Sequence, residues 1–155
     1  MNRPATDRRR FPFPPAIPVI ALALSWGMGK LWPVDVNEPV WLRWAGGVLI
    51  AINPVLAASA VVTFRRHHTA IDPRGTVTTI VSSGPFGLTR NPMYLSLMLF
   101  YVGCTLALNL QWAWLLLVPV FLALHFGVIM AEEQYLDAAF GEPYRLYRQR
   151  VRRWL

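Results

Sequence analysis

Two adjacent carboxylates, Glu132 and Glu133, follow directly on an apolar run that ends near Met130. At such a boundary an acid can pair a cationic group strongly, because poor solvation strengthens charge-assisted bonds. Phe86, Tyr94 and Tyr135 offer flat apolar faces for a ring or a cation, with cation–π attraction on the order of 0.5–2 kcal/mol. Arg90 and the backbone amides around Gly84 can reach an anionic group. His125 lies inside the apolar run, seven residues before Glu132 and therefore on the same face of a straight helix. An ionisable group inside such a run is a functional candidate. It is either a general base or a hydrogen-bonding link to a neighbouring helix.

Plainer roles are open to the same residues. Asn91 followed by Pro92 is a good helix start, with Asn as the cap and Pro at the first position. Glu132 and Glu133 can be solvated residues beyond an apolar helix, and the arginines between the second and third apolar runs are explained by membrane sidedness alone. His67 and His68 are adjacent, so their rings diverge, and no third ligand is spaced with them; no metal is expected. Cys104, the only cysteine, lies in an apolar run and can form neither an intrachain disulfide nor a cysteine cluster.

These residues must be positioned by helices in a bilayer. Of the 155 residues 55% are hydrophobic, seven are Trp, and mean hydropathy is positive, which exceeds what a soluble domain of this size carries. Four stretches approach or reach the roughly 17–25 apolar residues that a membrane helix needs, at about 14–31, 41–64, 92–109 and 112–130. Asn53, Pro54 and Pro119 interrupt two of them and predict kinks. The third and fourth should form a tight antiparallel hairpin. The expected fold is an all-α integral membrane protein, a single membrane domain over 1–155 with about four transmembrane helices and a cytoplasmic or interfacial C-terminal helix.

The formal charge of +7 reads as topology, and no nucleic-acid partner is expected. Thirteen Lys and Arg residues fall before the first span, between the second and third, or after the fourth; only Lys30 and Arg43 fall on the other side. Both termini and the loop 65–91 are therefore expected in the cytoplasm. Trp32, Trp41, Trp44, Trp112 and Trp114 mark the opposite boundary as an interfacial belt. Arg8, Arg9 and Arg10 before an apolar run also resemble an export signal, but that run reaches spanning length and no convincing cleavage site follows.

Two cytoplasmic segments remain. The loop contains turns at Asp72–Gly75 and Ser82–Gly87 with a short extended stretch over 76–81. In the segment 131–155, Phe140, Tyr144, Tyr147, Val151 and Trp154 recur at intervals of four and three, one face of a helix, with arginines on the rest. Such a segment either lies on anionic headgroups or caps the bundle. Gly141 should break the preceding helix and Pro143 begin the next.

The order SSGPFGLTRNPMY, helical hairpin, EEQYLDAAFGEPYRLYRQRV resembles the isoprenylcysteine carboxyl methyltransferases and their relatives among phospholipid methyltransferases. It covers Thr76 to Val151, and the order and spacing of the pieces are more specific than any one of them. The resemblance implies a membrane methyltransferase whose cofactor, S-adenosylmethionine, contacts Thr78, Thr79, Ile80, Val81, Phe86, Asn91, Pro92, Met93, Tyr94 and Glu132. That cofactor carries an ammonium, a carboxylate, a sulfonium and an adenine, so Arg90 and Glu133 join the expected binding residues and His125 is the candidate catalytic group. Two positions depart from the pattern. Asn91 stands where related enzymes carry His, and Val128 where the prenylcysteine enzymes carry a substrate-associated arginine. The expected acceptor is thus a small apolar or lipid-like molecule other than a prenylcysteine carboxylate, with membrane lipids as surroundings. Membrane sterol reductases, which use NADPH, share part of the pattern but are much longer. A non-catalytic membrane subunit or small transporter is the third reading.

Overall fold

The computed structural model describes residues 13–36, 38–66 and 79–155. Among these residues there are helices and turns and no strands. Helix α1 (Ala16–Leu31) and α2 (Val40–Arg66) lie in the first two apolar stretches. Asn91 precedes α3 (Pro92–Ala107), with Pro92 in its first turn, where a missing N–H costs nothing. The turn 108–110 then reverses the chain into α4 (Gln111–Leu124). Asn109 takes φ 53° there, a left-handed conformation that Asn tolerates better than most residues. The expected extended stretch over 76–81 lies largely outside the described residues, as do His67, His68 and Thr78; Thr79–Ser82 is irregular.

Helix α4 does not stop at the apolar boundary. It passes through a π turn, His125–Ile129, into α5 (Met130–Phe140), giving 30 continuous helical residues. At 1.5 Å per residue these span about 45 Å, against a hydrocarbon core of about 30 Å. Gly141 ends the run with φ 58° and ψ −124°, a conformation that glycine alone adopts readily, and α6 (Glu142–Arg150) follows with Pro143 in its first turn. Pro54 and Pro119 are accommodated inside α2 and α4, which each continue past them.

The helices pack as two pairs, joined through α3. Helix α2 runs along α3, and α1 runs along α4 while touching α3. Glycines let the first pair approach closely: a methyl added to Gly46 would lie 2.5 Å from the Ala107 nitrogen and 2.6 Å from the Gly103 oxygen. Across the same seam the Asn53 amide donates to the Ser96 carbonyl. That bond gives the polar residue in α2 a reason: within an apolar helix it acts as glue to its neighbour. Tyr94, Tyr101, Ala113, Val120, Leu124, Val128 and Ile129 form the core shared by α1, α3 and α4, with the Tyr101 hydroxyl donating to the Ala113 carbonyl at 2.7 Å.

The two ends of the bundle differ. At one end Asn109 Nδ2 donates to the Val36 carbonyl at 3.0 Å, Gln111 Nε2 to Glu38 at 3.0 Å, and Trp112 Nε1 to the Trp32 carbonyl at 2.9 Å. These bonds tie the α1–α2 connection to the α3–α4 turn, amid exposed Trp32, Trp41 and Trp44. The other end carries the segment 79–91, α5 and α6. Between them the bundle presents apolar side chains outward, among them Val19, Leu24, Val48, Ile52, Val55, Leu115 and Val118. A monomeric soluble protein rarely exposes so much contiguous apolar surface. The helices Val40–Arg66 and Gln111–Phe140 are long and apolar enough to cross a membrane; Ala16–Leu31 and Pro92–Ala107 are apolar and shorter.

Candidate active site

The site residues meet where α3 begins and the long helix emerges from its apolar stretch. Pro92 directs α3 so that Tyr94, in its first turn, faces α5. There the Tyr94 hydroxyl donates to Glu132 Oε2 at 2.7 Å. The next residue on α5, Glu133, is buried and faces two guanidiniums. Arg153 grips it with both forks, Nε to Oε1 at 2.9 Å and Nη2 to Oε2 at 2.7 Å, and Arg90 Nη1 lies 3.2 Å from Oε1. A planar guanidinium matches a carboxylate in this two-pronged way, which a lysine cannot reproduce.

Arg153 also reaches His125, with Nη1 3.2 Å from Nε2, while Trp154 Nε1 lies 3.2 Å from the other ring nitrogen, Nδ1. Both neighbours are donors only, and a neutral imidazole keeps one N–H. One contact is therefore a hydrogen bond and the other a close approach. The His125 ring is flanked by Phe121 at 5.5 Å and by Trp154 at 6.3 Å between ring centres. The π turn explains why His125 and Glu133 share Arg153: it inserts about one residue into the helical repeat, so each later side chain falls one position late. On a straight helix Glu132 would have faced His125; Glu132 instead meets Tyr94.

The segment Val151–Leu155 closes the arrangement through its backbone. The Arg152 carbonyl accepts the Arg90 N–H at 2.9 Å. The Arg153 carbonyl accepts from Thr89 Oγ1 at 3.1 Å and from Asn91 Nδ2 at 2.9 Å. Asn91 thus occupies the capping position of α3 without capping it by its side chain, and its amide nitrogen donates to the Arg153 carbonyl.

Apolar walls flank these polar groups. Val81, Phe86 and Ala60 are buried together with Phe64 and Met93 against them, and the Phe64 and Phe86 rings are 4.6 Å apart. Tyr144, Tyr147 and Val151 are buried with Ile80, Leu136 and Phe140 beside them. The Tyr147 hydroxyl donates to the Phe86 carbonyl at 2.7 Å, fastening α6 to the Gly84–Gly87 turn. The aromatic face of α6 therefore lies on the protein, and Arg145, Arg148 and Arg150 face outward. Burial, with the Glu133 charge adding to it, pushes the Tyr144 phenol up to about 12 against the opposing pull of Arg90 and Arg148. Burial also raises Tyr147, with Tyr144 adding to it.

The charges leave an imbalance. Arg90 and Arg153 share one carboxylate, Glu133. The Arg90 side chain is 9% exposed, and its Nε and Nη1 lack a hydrogen-bond partner; Nη1 is near Glu133 without the geometry of a bond. Glu132 is half-buried, accepts from Tyr94, and pairs with no cation among the described residues. The arrangement holds unfilled donors on one side and an uncompensated acid on the other.

Of the residues singled out in the sequence, Arg90, Asn91, Tyr94, His125, Glu132 and Glu133 converge here. Val81, Phe86 and Met93 form the adjoining wall, Ile80 sits with the α6 tyrosines, Pro92 is buried at the start of α3, and Thr79 is half-buried. Arg153 was legible only as one of a row of topological arginines. Its signal is the alternation in Val151-Arg152-Arg153-Trp154, where apolar anchors bracket a charged pair.

A helical membrane protein with paired carboxylates beyond the apolar stretch of a long helix is what the fold and site define. The phospholipid methyltransferase family matches residues 41–143, more than half of the chain, and the protein belongs to that family. The chain is also 46% identical, over 63 residues, to an uncharacterized protein of Haemophilus influenzae; the similarity covers 41% of this chain and 100% of that protein. No solved structure matches. No match supports the sterol reductase alternative.

Proposed function

We propose that the protein transfers the methyl group of S-adenosylmethionine to a small apolar or lipid-like acceptor at the cytoplasmic boundary of the bilayer. The observation that carries this reading is that one end of the bundle holds both an uncompensated acid, Glu132, and unfilled donors on Arg90. An amino-acid moiety bears the two complementary charges, so the residues fit that part of the cofactor. Glu132 would hold the ammonium, with the Tyr94 hydroxyl fixing the orientation of its carboxylate. Arg90 would hold the carboxylate. The Val81, Phe86 and Met93 wall would supply flat apolar surface. When bound, S-adenosylmethionine supplies an electrophilic methyl on a sulfonium.

The protein's contribution in this reading is placement in a poorly hydrated site, the term that dominates when acceptor and donor need only be aligned. His125 faces the donors of Arg153 and Trp154, so we assign it to holding the site together and not to proton abstraction. Val128 is fully buried in the core, which supports an acceptor other than a prenylcysteine carboxylate. In this reading α1 to α4 all cross the bilayer, with both termini and α6 on the cytoplasmic side. The 16-residue α1 and α3, about 24 Å long, fit by local thinning and flanking residues.

The test is calorimetric titration of the purified protein with S-adenosylhomocysteine and with NADPH. Binding of the first, abolished by Glu132→Ala, is expected. Binding of NADPH alone would transfer the protein to the reductases, and binding of neither would remove both enzyme readings.

A further inference from the structure

We infer that Val151–Leu155 is a strap that positions the site, with Arg153 as its positioning residue and with Glu133 and His125 as its anchors on the long helix. The inference rests on the methyltransferase reading for what is positioned. It lies beyond residues 41–143, which the family covers.

The strap joins the segment 89–91 to the long helix, alongside the direct Arg90–Glu133 ion pair. Its backbone carbonyls at Arg152 and Arg153 hold Thr89, Arg90 and Asn91. Its Arg153 guanidinium holds Glu133 and reaches His125, and its Trp154 packs 5.2 Å from Phe121 between ring centres while meeting His125. Residues 89–91 lead directly into the turn that carries Tyr94, and Glu133 adjoins Glu132. The strap thus holds the segments on both sides of the Tyr94–Glu132 hydrogen bond.

The charge arrangement divides the labour of the two acids. Glu133 is buried, with Arg153 bonded to both of its oxygens and Arg90 beside it, so its charge is already compensated. That of Glu132 is not. Without Arg153, Glu133 would be a buried carboxylate with Arg90 as its one remaining cation, and a buried charge that loses its partner draws on whatever compensates it. Arg90 would then be pulled fully onto Glu133, away from the position in which its unfilled N–H groups could donate to a ligand carboxylate.

The experiment uses the full chain with Arg153→Gln, Arg153→Lys, Glu133→Gln, the Arg153→Gln/Glu133→Gln double variant and Trp154→Phe. S-adenosylhomocysteine affinity, KM for the methyl donor, kcat and hydrogen exchange over Thr89–Tyr94 are measured on each. Arg153→Gln is expected to weaken S-adenosylhomocysteine binding and raise KM on the order of tenfold, the effect of one charge-assisted hydrogen bond, with a smaller change in kcat. Exchange of the Arg90 amide should accelerate. Arg153→Lys should fall between, and the double variant should be no worse than the worse single, since both changes break one link. Trp154→Phe keeps the packing and should show the exchange effect in weaker form. Unchanged affinity and exchange in Arg153→Gln, or losses that multiply in the double variant, would overturn the strap. If the unsubstituted protein binds no S-adenosylhomocysteine, the methyltransferase reading fails, and exchange at Thr89–Tyr94 decides the strap by itself.

Discussion

Glu132 and Glu133 differ by one position along a helix, and the structure gives them opposite surroundings. One meets a tyrosine hydroxyl, the other two guanidiniums. The pair was legible in the sequence from its place at the end of an apolar run together with the family pattern that repeats it. Which acid meets the guanidiniums was not legible, because it depends on the π turn at His125–Ile129, and nothing in HFGVI announces an extra residue in the helical repeat. Asn91 shows the same limit: its capping position follows from the following proline, but its side-chain partner lies 62 residues away. A residue-scale prediction concerns Tyr144. Its phenol, raised from 10.0 to about 12 in the folded chain, favours the folded state while it is protonated. That contribution is fully present below pH about 10, the unfolded value, and is lost as pH rises through about 12. Ultraviolet titration should show Tyr144→Phe removing a late-titrating phenol; removal of an early-titrating one would contradict the burial.

At the scale of elements, the helices were the most legible feature, since each apolar stretch is long, and the breaks at Gly141 and Asn109 fall at residues suited to left-handed or glycine-only backbone. The pairing of α2 with α3 was not legible. It rests on glycines, which carry no hydropathic pattern, and on Asn53, whose role appears only once Ser96 is opposite it. Gly46 and Gly47 make the argument testable within one helix. Gly46→Ala forces a methyl against the α3 backbone, whereas a methyl on Gly47 meets nothing within 4 Å. Gly46→Ala should lower the thermal midpoint in detergent, with an overpacking cost of about 1–3 kcal/mol. Gly47→Ala should leave it unchanged or raise it slightly, because alanine is the better helix former. Equal effects would mean that α2 and α3 do not approach as closely as described. The tail was half legible: Tyr144, Tyr147 and Val151 do share a buried face, but Trp154 leaves that face to pack beside His125 and Phe121.

For the molecule as a whole, the outward apolar side chains and the tryptophans at one end fit the membrane protein that the family match indicates. The opposite end gathers the carboxylates, Arg90 and the strap, so a lipid-like acceptor in the bilayer and a water-soluble methyl donor would approach one place from two phases. Composition and charge order made the membrane legible; the acceptor was not, because no motif in the sequence marks what it would contact. The proposed activity is tested most directly by methyl transfer in vesicles of total lipid extract. Purified protein supplied with S-adenosylmethionine labelled in its methyl group should move label into the organic-solvent-soluble fraction, and Glu132→Ala should reduce that transfer to background. Label that stays in the aqueous phase with the unsubstituted protein, or transfer that Glu132→Ala leaves intact, would contradict it.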